Sequence, residues 1–178
     1  MFRLAKFVYV FSFCSVVALS AAFAQDKDHV HPGAKMPASF DSVKALLGQW
    51  EGTTKMDGKD TPVTASYEMT AGGTAILERL FAGTPHEMVS VYHGDGNQVA
   101  MTHYCMLGNQ PKMTLRKADK NRMVFEIAST TGIKSAQEPH MHSLSVAMAD
   151  EDHMNQEWTL FENGKKKDVV VFNLARKK

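Results

Sequence analysis

The side chains best suited to chemistry in this sequence are four histidines and a cysteine. They are His86, His103, Cys105, His140 and His142. The last two form a His-x-His pattern, which on a β-strand sends both imidazoles to one face. Because neutral imidazole binds zinc, copper and iron, His86 or His103 could complete a transition-metal site with them. A histidine opposite Cys105 could instead activate the thiol as a nucleophile, although no nucleophile elbow, phosphate loop or HExxH motif accompanies it.

These side chains must be positioned by β-strands. From Gly48 onward, short alternating segments are separated by turn residues, and this pattern is typical of an antiparallel β-protein. Ten strands are predicted, at residues 46–56, 61–70, 74–82, 86–93, 98–107, 111–117, 122–128, 139–149, 153–161 and 166–175. A helix of about two turns over residues 39–47 precedes them, with Ser39 or Asp41 as its cap.

Successive hairpins reverse the chain, so each residue near a strand end can be assigned to one end of the β-structure. Trp50 and Arg176 fall at the same end as the helix, which we expect to close it. The opposite end is predicted to be an open mouth. It collects His86, His103, Cys105, Gln110, His140 and His142.

The hairpin after residue 86 predicts which of these side chains point inward. An even turn at Asp95-Gly96 pairs Met88 with His103. The same register puts His86 directly opposite Cys105. His103 then shares a largely apolar row with Met88, and we expect this row to face the interior.

Two further strands carry polar side chains in apolar rows. His140 and His142 alternate in step with apolar residues further along their strand, and are therefore predicted to face inward. Pairing through Gly72-Gly73 places Glu78 in the row of Tyr67, whereas a register shifted by one residue would turn it outward. A buried carboxylate needs a hydrogen-bonding partner or takes up a proton, so Glu78 is a candidate site residue.

The start of the first strand resembles a known signature. Gly48-Gln49-Trp50 follows a short helix, as in the Gly-x-Trp motif of the calycins, the lipocalin-like superfamily, in which a late arginine packs on the tryptophan. Arg176 stands at the matching place. The strand count is similar to that of nitrobindin-like barrels, some of which bind haem through one histidine. The segments 70–73, 81–88, 102–105 and 108–111 look like those of an uncharacterised family of secreted bacterial proteins.

This resemblance implies a fold class. We expect an all-β protein: a ten-stranded antiparallel up-and-down barrel with a short N-terminal helix closing one end. Gly48, Trp50 and Arg176 are its predicted structural residues. The haem-binding histidine of the nitrobindin-like barrels has no matched position in this sequence.

The composition of the chain indicates how many domains it forms and which class of partner it does not suit. The chain has 178 residues, 44% of them hydrophobic and 22% charged, which suits a single globular domain. Its 20 Lys and Arg are balanced by 19 Asp and Glu, so no basic excess is available for a nucleic acid. Cys105 is the only cysteine after residue 24, which leaves no intramolecular disulfide.

The first 24 residues have the pattern of a signal peptide that is removed. Arg3 and Lys6 precede an apolar run over residues 7–19, and Ala22-Phe23-Ala24 forms a small-x-small cleavage site. The run is shorter than the roughly 20 residues of a membrane span, so no stable membrane insertion is expected after cleavage. We predict export to the periplasm or the medium, a flexible lead over 25–38 and the barrel over 39–178.

Three interpretations of function remain open. The favoured one is a barrel that binds a small, mainly apolar molecule in a cavity with a histidine-rich mouth. Its predicted ligand-binding residues are Tyr67, Glu78, His86, Met88, Met101, His103, Cys105, Gln110, His140, His142 and Trp158, with further apolar wall residues Met69, Ile76, Phe125 and Leu144. The second is binding of haem or a divalent transition metal through His86, His103, His140 and His142. The third, less favoured, is an enzyme of the Cys/His type.

Overall fold

The computed structural model describes residues 35–56 and 58–178, which form ten strands, one short α-helix and a single 3₁₀ turn at Ala71–Gly73. The helix α1 is Phe40–Lys44. The strands are β1 Gly48–Met56, β2 Lys59–Thr70, β3 Ala75–Leu80, β4 Met88–Asp95, β5 Gln98–Tyr104, β6 Gln110–Ala118, β7 Arg122–Thr131, β8 His140–Met148, β9 His153–Glu162 and β10 Lys165–Arg176. The predicted signal peptide and residues 25–34 of the predicted lead lie outside the described residues.

Each strand pairs antiparallel with the next one in the chain, and β10 pairs with β1 to close the barrel. Closure leaves no edge strand with unpaired backbone groups. The predicted fold class, an all-β ten-stranded antiparallel barrel with a short helix near its start, is therefore confirmed. All ten predicted strands are present, with ends shifted by a few residues.

Two of these shifts move predicted site residues off the strands. β4 begins at Met88, so His86 lies in the loop that precedes it. β5 ends at Tyr104, so Cys105 is the first residue beyond it. The loop between β3 and β4 contains Gly83 at a φ of +74°, a conformation that glycine adopts readily.

The predicted register of the β4–β5 hairpin is wrong by two residues. The two-residue loop is Gly96-Asn97, with Gly96 at a φ of +61°, and Ser90 rather than Met88 pairs with His103. His86 is therefore not opposite Cys105. Because the error is an even number, every side chain keeps its predicted face, and His103 still points inward.

The prediction that His140 and His142 face inward is wrong. β8 contains a bulge between Met141 and Ser143, so that Met141 pairs with the inward Leu160. One extra residue shifts the alternation on that side of the bulge and turns both histidines to the outer face. The polarity of the side chains around this bulge does not reveal it, and a prediction based on strict alternation therefore assigned both histidines to the wrong face.

The end of the barrel that holds α1 is built around Trp50 and Arg176. Trp50 is buried and pairs with Arg176, whose guanidinium carbon lies 4.1 Å from the indole centroid. The guanidinium also donates to the carbonyl oxygens of Ala45, Leu47 and Glu151. The predicted packing of a late arginine on this tryptophan is confirmed.

Glycine at position 48 follows from the same contact. Gly48 has a φ of +122°, and a Cβ atom there would lie 2.9 Å from the Arg176 guanidinium. Trp50 in turn donates from Nε1 to the Leu46 carbonyl at 2.8 Å, which ties β1 to the segment after α1. Phe40, Val43 and Leu46 are completely buried, so the helical segment forms part of the core at this end.

Replacing the arginine tests this arrangement. We expect Arg176→Ala to lower the free energy of unfolding by at least about 2 kcal/mol, because it removes three charge-assisted hydrogen bonds and a cation–π contact. Urea unfolding measures the change. Arg122→Ala is the control, since Arg122 is exposed and bonds Ser145 on the outer face; its change should stay within about 0.5 kcal/mol. Equal effects of the two substitutions would contradict the structural role of Arg176.

Candidate functional site

The barrel interior is filled with side chains over much of its length. Completely or almost completely buried residues include five that the sequence analysis assigned to a cavity wall. They are Tyr67, Ile76, Met101, Phe125 and Leu144. Met69 is 38% exposed and lies near the helix-bearing end of β2. Five of these six residues therefore form a solid core, and none of the six lines the cavity in the opposite half of the barrel.

A cavity of about 260 Å³ occupies the opposite half, beneath the mouth of the barrel. Its walls are mainly apolar and come from several strands. They include Leu80, Phe81, Met88, Met141, Trp158, Leu160, Val170 and Phe172. Three predicted polar site residues, His86, His103 and Cys105, also line it, and the charged side chains of Lys55 and Asp168 lie at its exposed rim.

His103 is the deepest polar side chain of the cavity. It is 1% exposed, its Nδ1 lies 3.0 Å from Ser90 Oγ, and its ring centroid is 4.4 Å from that of Trp158. Burial lowers the pKa of His103 to about 4, because a charged imidazolium would be poorly solvated there. The imidazole is therefore neutral near pH 7.

Glu78 is completely buried and points inward, as predicted. It accepts hydrogen bonds from Tyr67 Oη at 2.6 Å and Tyr92 Oη at 2.9 Å, and from Gln156 Nε2 at 2.9 Å. Gln156 also donates to Tyr67 Oη. None of the salt bridges within residues 35–56 and 58–178 includes Glu78, so neutral donors satisfy this carboxyl group.

The same network reaches the cavity. Trp158 lines the cavity and donates from Nε1 to Gln156 Oε1 at 2.9 Å. Burial, followed by the proximity of Glu78, raises the pKa of Tyr67 and of Tyr92 well above the ordinary value, so both phenols stay protonated and act as donors. Gln156 thus connects a buried carboxyl group to the floor of the cavity.

Tyr92 and Gln156 of this network, and Ser90 beside His103, were not among the site residues predicted from the sequence. A signal was present for Gln156, because it alternates with Trp158 on a predicted strand and must share its inward face. The same parity argument applies to Ser90 and Tyr92, which alternate with Met88. Alternation could not identify their partners, because Glu78, which accepts from Tyr92 and Gln156, and His103, which contacts Ser90, lie on other strands.

Cys105 does not have the environment of an activated nucleophile. It is buried, and that burial raises the pKa of its thiol, which keeps it protonated. His86 is exposed in the loop before β4, and its ring centroid lies 6.4 Å from that of Phe81. The two residues share a cavity wall but do not form the predicted cross-strand pair.

His140 and His142 face away from the barrel interior and line a separate pocket of β7, β8 and the loop between them, where His140 is buried and His142 is partly exposed. His142 stacks on Phe161 with ring centroids 3.8 Å apart, and His140 Nδ1 lies 2.8 Å from the Glu138 carbonyl oxygen. Burial, then the neighbouring His140, lowers the pKa of His142. Gln110 also faces away from the cavity and bonds Thr131.

The four histidines proposed as metal ligands are therefore divided between two places. Within residues 35–56 and 58–178, no three His, Cys, Asp or Glu side chains are grouped so as to hold a metal ion. A cavity of about 260 Å³ is also below the range of roughly 300–1,000 Å³ for drug-sized ligands. Haem is larger than most such ligands, so the cavity does not fit it.

Comparison with protein-family models gives no match to this sequence, and comparison with curated proteins gives none either. The ten-stranded antiparallel barrel is compatible with a calycin-like fold on its architecture alone. In the described residues, no helix is both long enough and apolar enough to cross a membrane.

The Glu78 network yields a test of stability. Glu78→Leu removes the acceptor for two tyrosine hydroxyls and an amide, so we expect a loss of more than about 3 kcal/mol in the free energy of unfolding. The triple variant Glu78→Leu/Tyr67→Phe/Tyr92→Phe should recover at least about 1 kcal/mol, because it also removes the stranded donors. Urea unfolding of both proteins measures the difference. A triple variant less stable than the single variant would contradict the proposed role of Glu78 as the shared acceptor.

The pH dependence of the free energy of unfolding tests the burial of His103. Its pKa is about 4 in the folded protein and near 6.5 in the unfolded chain, so the unfolded state binds the extra proton first as the pH falls. The wild type should lose about 3 kcal/mol of stability between pH 6.5 and pH 4 relative to His103→Gln, which cannot titrate there. Urea unfolding at several pH values measures the difference, and parallel curves for the two proteins would contradict the prediction.

Proposed function

We propose that this protein is an exported, calycin-like barrel that binds a small, mainly apolar molecule in the cavity beneath its mouth. The observation that carries the proposal is the contrast between the two halves of the interior. One half is packed solid around Trp50, Phe125 and Leu144, whereas the other half encloses about 260 Å³ between apolar walls. Protein interiors are normally close-packed, so a cavity of this size at an open end supports a binding role.

The volume suits a compact ligand. An apolar cavity of about 150 Å³ is known to hold one benzene molecule, so about 260 Å³ suits a molecule of one or two rings or a short branched chain. Met88 and Met141 lie in the wall. Methionine is unbranched and polarizable, so these two side chains can adjust to the outline of a ligand.

The position of the cavity supports exchange of a ligand with solvent. Its rim includes the exposed loop residues His86, Met106 and Leu107, and the last two are 54% and 46% exposed. Loops move more readily than paired strands, which offers a route into the cavity without breaking the barrel. The predicted signal peptide over residues 1–24 is the basis for proposing export.

A blocking substitution tests the proposed function. Titration with the uncharged two-ring fluorescent probe 1-aminonaphthalene should give saturable binding to the wild type. Met141→Trp fills part of the cavity and should weaken that binding at least tenfold. Met69→Trp is the matched control, because Met69 is exposed near the other end of the barrel, and it should bind as the wild type does.

A folding control completes the test. Thermal unfolding of both variants must show that each remains folded. Absence of saturable probe binding to the wild type, or equal loss of binding in the two variants, would overturn the proposed site.

A further inference from the structure

We propose that the cavity selects an uncharged, ring-containing molecule with one hydrogen-bond-accepting oxygen, and that this oxygen accepts a hydrogen bond from Nε2 of His103. This inference rests on the proposed function and adds the chemical class of the ligand. It follows from three features of the cavity floor: a single oriented imidazole, a fixed aromatic platform and, among the described residues, no cationic side chain on the floor itself.

The orientation of the imidazole comes from Ser90. Ser90 is completely buried, and its hydroxyl lies 3.0 Å from Nδ1 of His103. A buried hydroxyl needs an acceptor, and Nδ1 serves as one when the imidazole carries its proton on Nε2. Nε2 has no hydrogen-bond partner within residues 35–56 and 58–178, while His103 is a wall residue of the cavity. We assign this tautomer to His103, and in it the Nε2 proton is available to a ligand.

The platform is the indole of Trp158. Its Nε1 is bonded to Gln156, and Gln156 is bonded to Glu78, so the ring is anchored through two successive hydrogen bonds to the core. Its centroid lies 4.4 Å from that of the His103 ring, with 38° between the planes. The imidazole thus packs against the indole, and because both rings line the cavity, a flat ligand ring there contacts this aromatic pair next to the free donor.

The charges around the cavity favour an uncharged ligand. His103 is neutral near pH 7, and the carboxyl group of Glu78 lies behind Gln156 without a cationic partner among the described residues. Lys55 is at the exposed rim and is paired with Asp60 at 2.8 Å, and Asp168 is also at the rim. An anion placed on the floor would lose its hydration without gaining a counter-charge.

The experiment compares three ligands of one shape by calorimetric titration. They are tetralin, α-tetralone, which adds a single carbonyl oxygen, and the tetralin carboxylate with its charge at the same ring carbon. On the wild-type protein at pH 7, we expect α-tetralone to bind about tenfold more tightly than tetralin, which corresponds to one net hydrogen bond. The carboxylate should bind at least tenfold more weakly than α-tetralone.

Two variants assign the preference to His103. His103→Leu removes the donor, so α-tetralone should then bind no more tightly than tetralin. His103→Gln is the matched control, because its side-chain amide can place an N–H donor near the position of Nε2, and it should keep a preference for α-tetralone. If His103→Leu does not fold, His103→Phe takes its place, because it keeps a ring against Trp158 but has no donor.

The outcomes separate the two proposals. If none of the three molecules binds and the neutral fluorescent probe also fails to bind, the proposed function is overturned and this inference with it. If tetralin binds as tightly as α-tetralone, or the carboxylate binds most tightly, the cavity is a binding site but the inferred ligand class is wrong. An unchanged α-tetralone preference in a folded His103→Leu variant would overturn the role of His103.

Discussion

The antiparallel pairing of β1 with β10 is the contact on which the rest of the barrel depends. It joins the two ends of the described sheet and removes the edges that an open ten-stranded sheet would expose. Trp50 and Arg176 face each other in this pairing, and the arginine also holds the carbonyl oxygens of the segment after α1. One side chain thus stabilises the strand closure and the attachment of the helical segment.

A second constraint divides the interior of the closed barrel. The carboxyl group of Glu78 can be buried only if donors surround it, and Tyr67, Tyr92 and Gln156 supply them. These bulky side chains fill the middle of the barrel. Beyond them, Gln156 positions Trp158 on the cavity floor. The polar network therefore separates a solid core from a cavity and orients one wall of that cavity.

The cavity itself has few polar groups at depth. His103 is kept neutral by burial and oriented by Ser90, and the thiol of Cys105 is kept protonated by burial. A neutral imidazole and a protonated thiol are suited to recognition rather than to nucleophilic attack or charge stabilisation. This chemistry is the physical reason that binding of a small apolar molecule is the function proposed.

The sequence by itself determined the strand number, the antiparallel order and the inward direction of Glu78 and His103, because these depend on local alternation and on turn residues. The contact of Trp50 with Arg176 was expected from the resemblance of Gly48-Gln49-Trp50 to the Gly-x-Trp signature. Only the tertiary structure decided that His140 and His142 face outward, since a bulge at one residue reverses the alternation without altering the polarity pattern. It also decided which buried residues fill the core and which line the cavity. That division depends on the side chains of several strands meeting at one level of the barrel, which no single strand encodes.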